Sequence, residues 1–249
     1  MQSRRAASSQ HTPRQNHILA ALPLADYERL LPALEPIPLP LGWTVYGAGT
    51  LEKHLYFLTE GLVSRLYETE SGATAEFAAA GSEGAIGIAS FLGGESTPNS
   101  AMVVSAGYAY RLAANLVKKE FDHDRELSHL LLHYVQALIS QTAQIAACNR
   151  HHTLDQQLCR WLLSSLDRLP STELTITHEL IAEMLGVRRE GVTEAIGRLQ
   201  QARLIHHNRG HITVLDRLRL EARACGCYAA IKREYDRLLP EYRQAEVAR

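Results

Sequence analysis

The chain has 249 residues, 46% hydrophobic and 21% charged, the balance of an ordinary globular protein of one or two domains. Its 26 basic and 27 acidic side chains leave a net charge of −1, which excludes a bulk basic field and allows only a local basic face. No apolar run approaches the roughly 20 residues that span a bilayer, residues 1–22 lack the continuous apolar stretch of a secretory signal, and four cysteines are too few for a disulfide framework, so a cytoplasmic protein is expected, with no membrane partner.

Residues 1–22 open Ser-, Gln- and Arg-rich and are assigned to a disordered tail. A short helix is expected over 26–34, after which Pro36, Pro38 and Pro40 forbid helix. From Gly42 to Gly107 short apolar or alternating runs are punctuated by glycine. Turns at Glu60-Gly61 and Ser71-Gly72 predict consecutive antiparallel hairpins in a sandwich or small barrel, and the β domain is assigned to 23–123.

Between 124 and 149 the period changes. Leu127, Leu131, Tyr134, Leu138, Gln141, Ile145 and Cys148 recur at alternating steps of four and three, a heptad stripe along a helix of about 39 Å. Leu132, Val135 and Ile139 lie off that stripe, so the helix has two faces to bury. The heptad stripe is assigned to a homodimer seam, with a monomer core as the alternative. Asn149-Arg150-His151-His152 is a polar break suited to a hinge, and an amphipathic helix follows over 154–166.

The most informative stretch is residues 174–214, LTITHELIAEMLGVRREGVTEAIGRLQQARLIHHNRGHITV. Thr177 caps a helix that Gly186 stops, and a second helix runs from about Arg189 to Ala202. Ile181, Ala182, Leu185, Val192, Ala195, Ile196 and Leu199 form the shared inner face of a helix-turn-helix. Two short strands around Asn208-Arg209-Gly210 then make a wing, so a winged helix-turn-helix is assigned to 150–215. In that geometry Arg188, Arg189, Glu190, Thr193, Glu194 and Arg198 face a DNA major groove, while Thr177 and Arg209 serve phosphates. The partner implied is double-stranded DNA. Ordinary surface helices with charged faces are the alternative.

With these motifs the chain resembles the Crp/Fnr family of bacterial transcription regulators over about residues 24–215. The resemblance implies an α+β chain: an N-terminal β-roll of the cyclic-nucleotide-binding-like jelly-roll kind, a long dimerisation helix and a C-terminal winged helix-turn-helix. Arg189 and Glu190 fall where that family has its base-reading Arg-Glu pair, and Glu194 replaces the second reading Arg of many relatives. GSEGAIGIASFLGGESTPNSAMVV, residues 81–104, is similar to the effector cassette. Its pocket candidates are Gly81, Glu83, Gly84, Gly87, Asn99 and Ser100, with Thr142 of the long helix near where the adenine is reached in cyclic-AMP-binding members. Asn99 stands where those members carry the phosphate-binding Arg, so cyclic AMP is not the expected effector. An N-terminal iron–sulfur cluster is not expected, because no cysteine precedes Cys148, and His54 alone is a poor basis for haem. No cofactor is assigned, and RNA polymerase is a partner if the protein activates.

No catalytic constellation stands out, and an enzyme is not expected. No metal site is assigned. Cys225-Gly226-Cys227 lacks four ligands and is read as packing beneath an extra helix in the C-terminal extension, 216–249. Cys148 and Cys159 are read as core thiols, and His129 and His133 as surface or interface residues. The competing function is a small-molecule-binding or redox-sensing module whose helix-turn-helix contacts protein.

Overall fold

The computed structural model describes residues 11–123 and 125–239. Its elements in chain order are α1 (His17–Ala21), α2 (Leu24–Leu30), β1 (Glu35–Leu39), β2 (Thr44–Tyr46), β3 (His54–Glu68), β4 (Thr74–Ala80), β5 (Ala85–Ile86), α3 (Ala89–Leu92), β6 (Ser100–Ala113), α4 (Ala114–His123), α5 (Arg125–His151), α6 (Leu154–Leu166), β7 (Glu173–Thr175), α7 (His178–Leu185), α8 (Arg189–Gln201), β8 (Ile205–Asn208), β9 (His211–Val214), α9 (Arg217–Arg223) and α10 (Cys227–Leu238). They fall into two compact units. The first holds described residues of 11–63, 80–137 and 235–239, and the second holds Ser64–Ala79 and Leu138–Glu234.

The first unit is built on an antiparallel sheet of order β1-β6-β3, with β2 on β6 and β5 on β3, to which β3 contributes its residues up to Val63. Its core includes Leu39, Tyr56, Leu58, Val63, Ala80, Ile86, Val103 and Ala109. Pro36 and Pro38 lie in β1, opposite Tyr110 and Tyr108, on an edge where a strand tolerates a missing N–H. The turn expected at Glu60-Gly61 is absent: β3 runs straight through it for 15 residues. Gly61 is there for close approach, since a Cβ would stand 2.6 Å from the Ser105 carbonyl oxygen. The turn at Ser71-Gly72 is present, and the arm it closes, from Ser64 to Ala79, belongs to the second unit.

Residues 11–22 are ordered, which corrects the assigned tail; its first ten residues lie outside the described ones. Asn16 is the reason. Its Oδ1 accepts from the Ile18 and Leu19 N–H groups and caps α1, while Nδ2 lies 2.9, 3.1 and 2.8 Å from the Leu58, Ser82 and Gly84 carbonyls. Ile18, Leu19 and Leu22 are buried beside it. A second departure is α4, a helix within the stretch assigned to the β domain.

The stripe expected to form a seam is not exposed. Leu127, Leu131, Tyr134, Leu138, Gln141, Ile145 and Cys148 are all buried within the single chain, so this stripe fills the chain's own interior. Near one end Tyr134 donates its hydroxyl hydrogen to the Ala85 carbonyl at 2.9 Å. Near the other Cys148 lies against Cys225. The face left in solvent carries Leu132, 48% exposed, and Ile139, 63% exposed, followed by exposed Ala143 and Ala146 at heptad spacing.

Candidate nucleic-acid interface

The site lies in the second unit. The Thr177 hydroxyl accepts from the Leu180 N–H at 3.2 Å and starts α7. Gly186, at φ +65°, ends it, and the Val187 N–H returns to the Ala182 carbonyl at 3.0 Å. After this corner, α8 turns Val192, Ala195, Ile196 and Leu199 inward, while Arg188, Arg189, Glu190, Thr193 and Glu194 stay exposed. Burial of the four apolar side chains, each contributing about 1.5–3 kcal/mol for the larger ones, fixes which side of the helix faces solvent.

The exposed residues are not equally free. Arg189 makes only a loose pair with Glu179, at 3.8 Å with both side chains about two-thirds exposed. The Thr193 hydroxyl is 3.1 Å from the Arg189 carbonyl and shares a 2.9 Å hydrogen bond with His178 Nδ1. Arg198 is committed elsewhere: its Nη2 and Nε fork the Asp155 carboxylate of α6 at 2.6 and 3.1 Å. The hydrogen bond from Arg198 holds the Asp155 carboxyl below the usual carboxylate range. This sets Arg198 apart from the other residues expected to face the groove, because its guanidinium is already forked by a carboxylate.

The wing is larger than expected: β7 adds to β9, giving a sheet of order β7-β9-β8. At its tip Asn208 pairs with His211 around Arg209 and Gly210, at φ +47° and +82°. Two positive φ values mark a tight hairpin turn, a place where Asn or Gly is the low-strain choice. Arg209 holds that position exposed. His178, which sequence reasoning passed over, sits between α8 and the wing, its ring centroid 4.5 Å from that of His207. Burial lowers its pKa, and His207 and Arg189 add to the effect.

The pocket candidates of the cassette are mostly engaged by the fold. Gly81, Glu83, Gly84 and Gly87 are buried, and the Glu83 carboxylate accepts from the Gly81 N–H at 3.0 Å. Gly84 makes room for Tyr134, whose hydroxyl oxygen would lie 2.7 Å from a Cβ there. Asn99 accepts from the Tyr46 hydroxyl at 3.0 Å, and half-buried Ser100 starts β6. Thr142, in the second unit, donates to the Leu138 carbonyl of its own helix at 2.9 Å.

Residues 156–223 match the family model of the Crp-like helix-turn-helix domain. Over 187 residues the chain is 26% identical to the global nitrogen regulator of Synechococcus elongatus, covering 70% of this chain and 83% of that one. The chain is a transcription regulator carrying a Crp-like helix-turn-helix domain. A second global nitrogen regulator, from a Nostoc species, is 27% identical over 183 residues, 69% of this chain and 81% of that one. Solved structures agree in fold. FixK2 of Bradyrhizobium japonicum superposes with a TM-score of 0.67 at 15% identity, over 77% of this regulator and 98% of FixK2. A Crp/Fnr-family protein of Eubacterium rectale gives 0.66 at 18% identity, over 82% and 96%. No helix among the regulator's described residues is long and apolar enough to cross a membrane.

Proposed function

We propose that this regulator acts as a homodimer on a two-fold DNA operator, with the N-terminal end of α8 in the major groove of each half-site. The observation that carries the reading is the two-sided character of α8. Its apolar residues are buried, and Arg188, Arg189, Glu190 and Glu194 extend from the end that enters a groove first. An Arg forks guanine O6 and N7, and a Glu accepts from cytosine N4. Thr177 with the first N–H groups of α7, and Arg209 at the wing tip, take backbone phosphates. Thr193 supports His178 and Arg189 from within the site.

The dimer seam is assigned to the exposed stripe of Leu132, Ile139, Ala143 and Ala146, where two small residues allow close helix approach. Two such subunits present their α8 helices to half-sites about 34 Å apart. The protein works in the cytoplasm without a catalytic step, and RNA polymerase is its partner at promoters it activates.

Cyclic AMP is not its effector in this reading. Asn99 itself offers no positive charge to fork the phosphate, and its side chain is already bonded to Tyr46. Ligand-free protein is therefore expected to bind its own upstream DNA. Fluorescence anisotropy tests this against a scrambled duplex at near-physiological salt. Discrimination of about a thousandfold is expected, with affinity falling on a log–log salt plot by about 0.9 per phosphate contacted. Equal binding to both duplexes overturns the reading.

A further inference from the structure

Among the described residues one group of three or more Cys, His, Asp or Glu side chains brings its ligand atoms together: Cys148, His152, Cys225 and Cys227, each ligand atom within 4.8 Å of every other. All four belong to the second unit. The Cys148 and Cys225 sulfurs are 3.5 Å apart, as are Cys227 Sγ and His152 Nδ1. We propose that these side chains form a Cys3His zinc(II) site joining the C-terminal end of α5 to the start of α10 and the segment just before it.

The spacing selects a single tetrahedral ion. With bonds of about 2.3 Å to sulfur and 2.0 Å to nitrogen, a tetrahedron has ligand–ligand edges of roughly 3.5–3.8 Å. A disulfide needs sulfurs about 2.05 Å apart, well inside the observed separation. A multi-iron cluster spreads its thiolates around several metals and fits this compact group poorly. Three thiolates and one imidazole suit zinc better than a hard cation.

The supports around the group also point to an ion. Cys148 and His152 are four residues apart at the end of α5, and the His152 N–H donates to the Cys148 carbonyl at 3.0 Å, so both side chains leave one helical face. The His152 carbonyl accepts from Gln157 Nε2 at 2.9 Å, which anchors that residue at the start of α6. Gln144 Nε2 donates to Cys227 Sγ at 3.1 Å. Arg160 is 3% exposed and its Nε has no hydrogen-bond partner among the described residues. Zinc(II) with three thiolates and a neutral imidazole carries one net negative charge. Binding moves three thiol protons to solvent and transfers no electron, so no oxidant is required.

The test uses the full chain from zinc-supplemented cells. Elemental analysis should find about one zinc per chain. After chelation under anaerobic reducing conditions, cobalt(II) should give the intense visible bands of a tetrahedral site with thiolate-to-cobalt charge transfer, and zinc should abolish them. C148S and C225S should lose the bands, whereas C159S, a buried thiol outside the group, should keep them; circular dichroism checks that each variant folds. Zinc should raise the Tm of the wild type and not of C225S. Substoichiometric metal together with a weak octahedral cobalt spectrum in the wild type overturns the proposal without any variant. So does a Cys148–Cys225 disulfide mapped in protein kept anaerobic. Metal content is read separately from DNA binding, so failure of the operator reading leaves this result standing.

Discussion

The Arg198 guanidinium forks the Asp155 carboxylate, Nη2 to Oδ1 at 2.6 Å and Nε to Oδ2 at 3.1 Å, and Arg223 reaches the same carboxylate at 3.3 Å. Arg198 is thus a brace between α8 and α6, while Arg189, one helical face away, has only a 3.8 Å contact with Glu179. Replacing Arg189 with Ala should weaken specific operator binding by roughly 5- to 150-fold and relax base preference at one position of each half-site. Replacing Arg198 with Ala should leave base preference unchanged and lower the melting temperature instead. A systematic half-site substitution series measured by anisotropy separates the two; relaxed preference in R198A would return that residue to the groove.

Arg209 should be a residue kept against local stability. At φ +47° a non-glycine side chain costs about 1–2 kcal/mol relative to its ordinary conformations. R209G should therefore stabilise the wing by up to about 1 kcal/mol while removing one phosphate contact. On a log–log plot the salt slope should fall by about 0.9 per subunit. Urea unfolding and salt-dependent anisotropy on the same variant read both changes, and an unaltered slope would take Arg209 off the DNA.

The two faces of α5 should respond differently to mutation. Ile139 is 63% exposed, so I139E should leave the fold of the chain intact and convert dimer to monomer at micromolar concentration in sedimentation equilibrium. Leu131 is fully buried, and L131A should cost about 2–5 kcal/mol of stability through the cavity it leaves. An I139E protein that remains dimeric would place the seam elsewhere.

Glu76 is buried in the second unit, where the Ser64 hydroxyl and Trp161 Nε1 both donate to its Oε2, at 2.6 and 3.2 Å. Burial pushes its carboxyl above the ordinary value, against the pull of these two hydrogen bonds. A raised folded-state pKa means that the folded chain holds this proton more tightly than the unfolded one. The stability tied to it is fully present below the unfolded value and is lost as pH rises through the folded one. Unfolding free energies at pH 5, 6, 7 and 8 should therefore shift in favour of E76Q over wild type as pH rises. A difference that stays constant across that range would mean that Glu76 does not titrate there. E76A, which strands both donors, should be destabilised by about 1–3 kcal/mol.

The readings that held and those that failed divide by the range of the interactions involved. Helix starts and stops around Thr177 and Gly186 were legible because a cap and a left-handed corner act within one turn of chain. The strand pattern of the first unit is legible in outline, yet Gly61, whose Glu60-Gly61 pair has the look of a turn, lies within β3 under the backbone of β6. Asn16 gave no local sign that its amide would meet carbonyls 42, 66 and 68 residues away. Arg198 looked like its exposed neighbours until Asp155, 43 residues earlier, was placed beside it.

By itself the sequence determined the α+β class, the long helix, the winged helix-turn-helix and the exposed Arg-Glu end of α8. Periodicity, caps and turns are short-range properties, and a 3.6-residue or two-residue repeat declares them directly. Only the tertiary structure decided which of two apolar stripes of α5 is left in solvent, because both have helical spacing and burial depends on what covers them. Only it brought Cys148 and His152 to Cys225 and Cys227, across more than 70 residues of chain, since ligand geometry is a property of where the backbone returns and not of spacing along it.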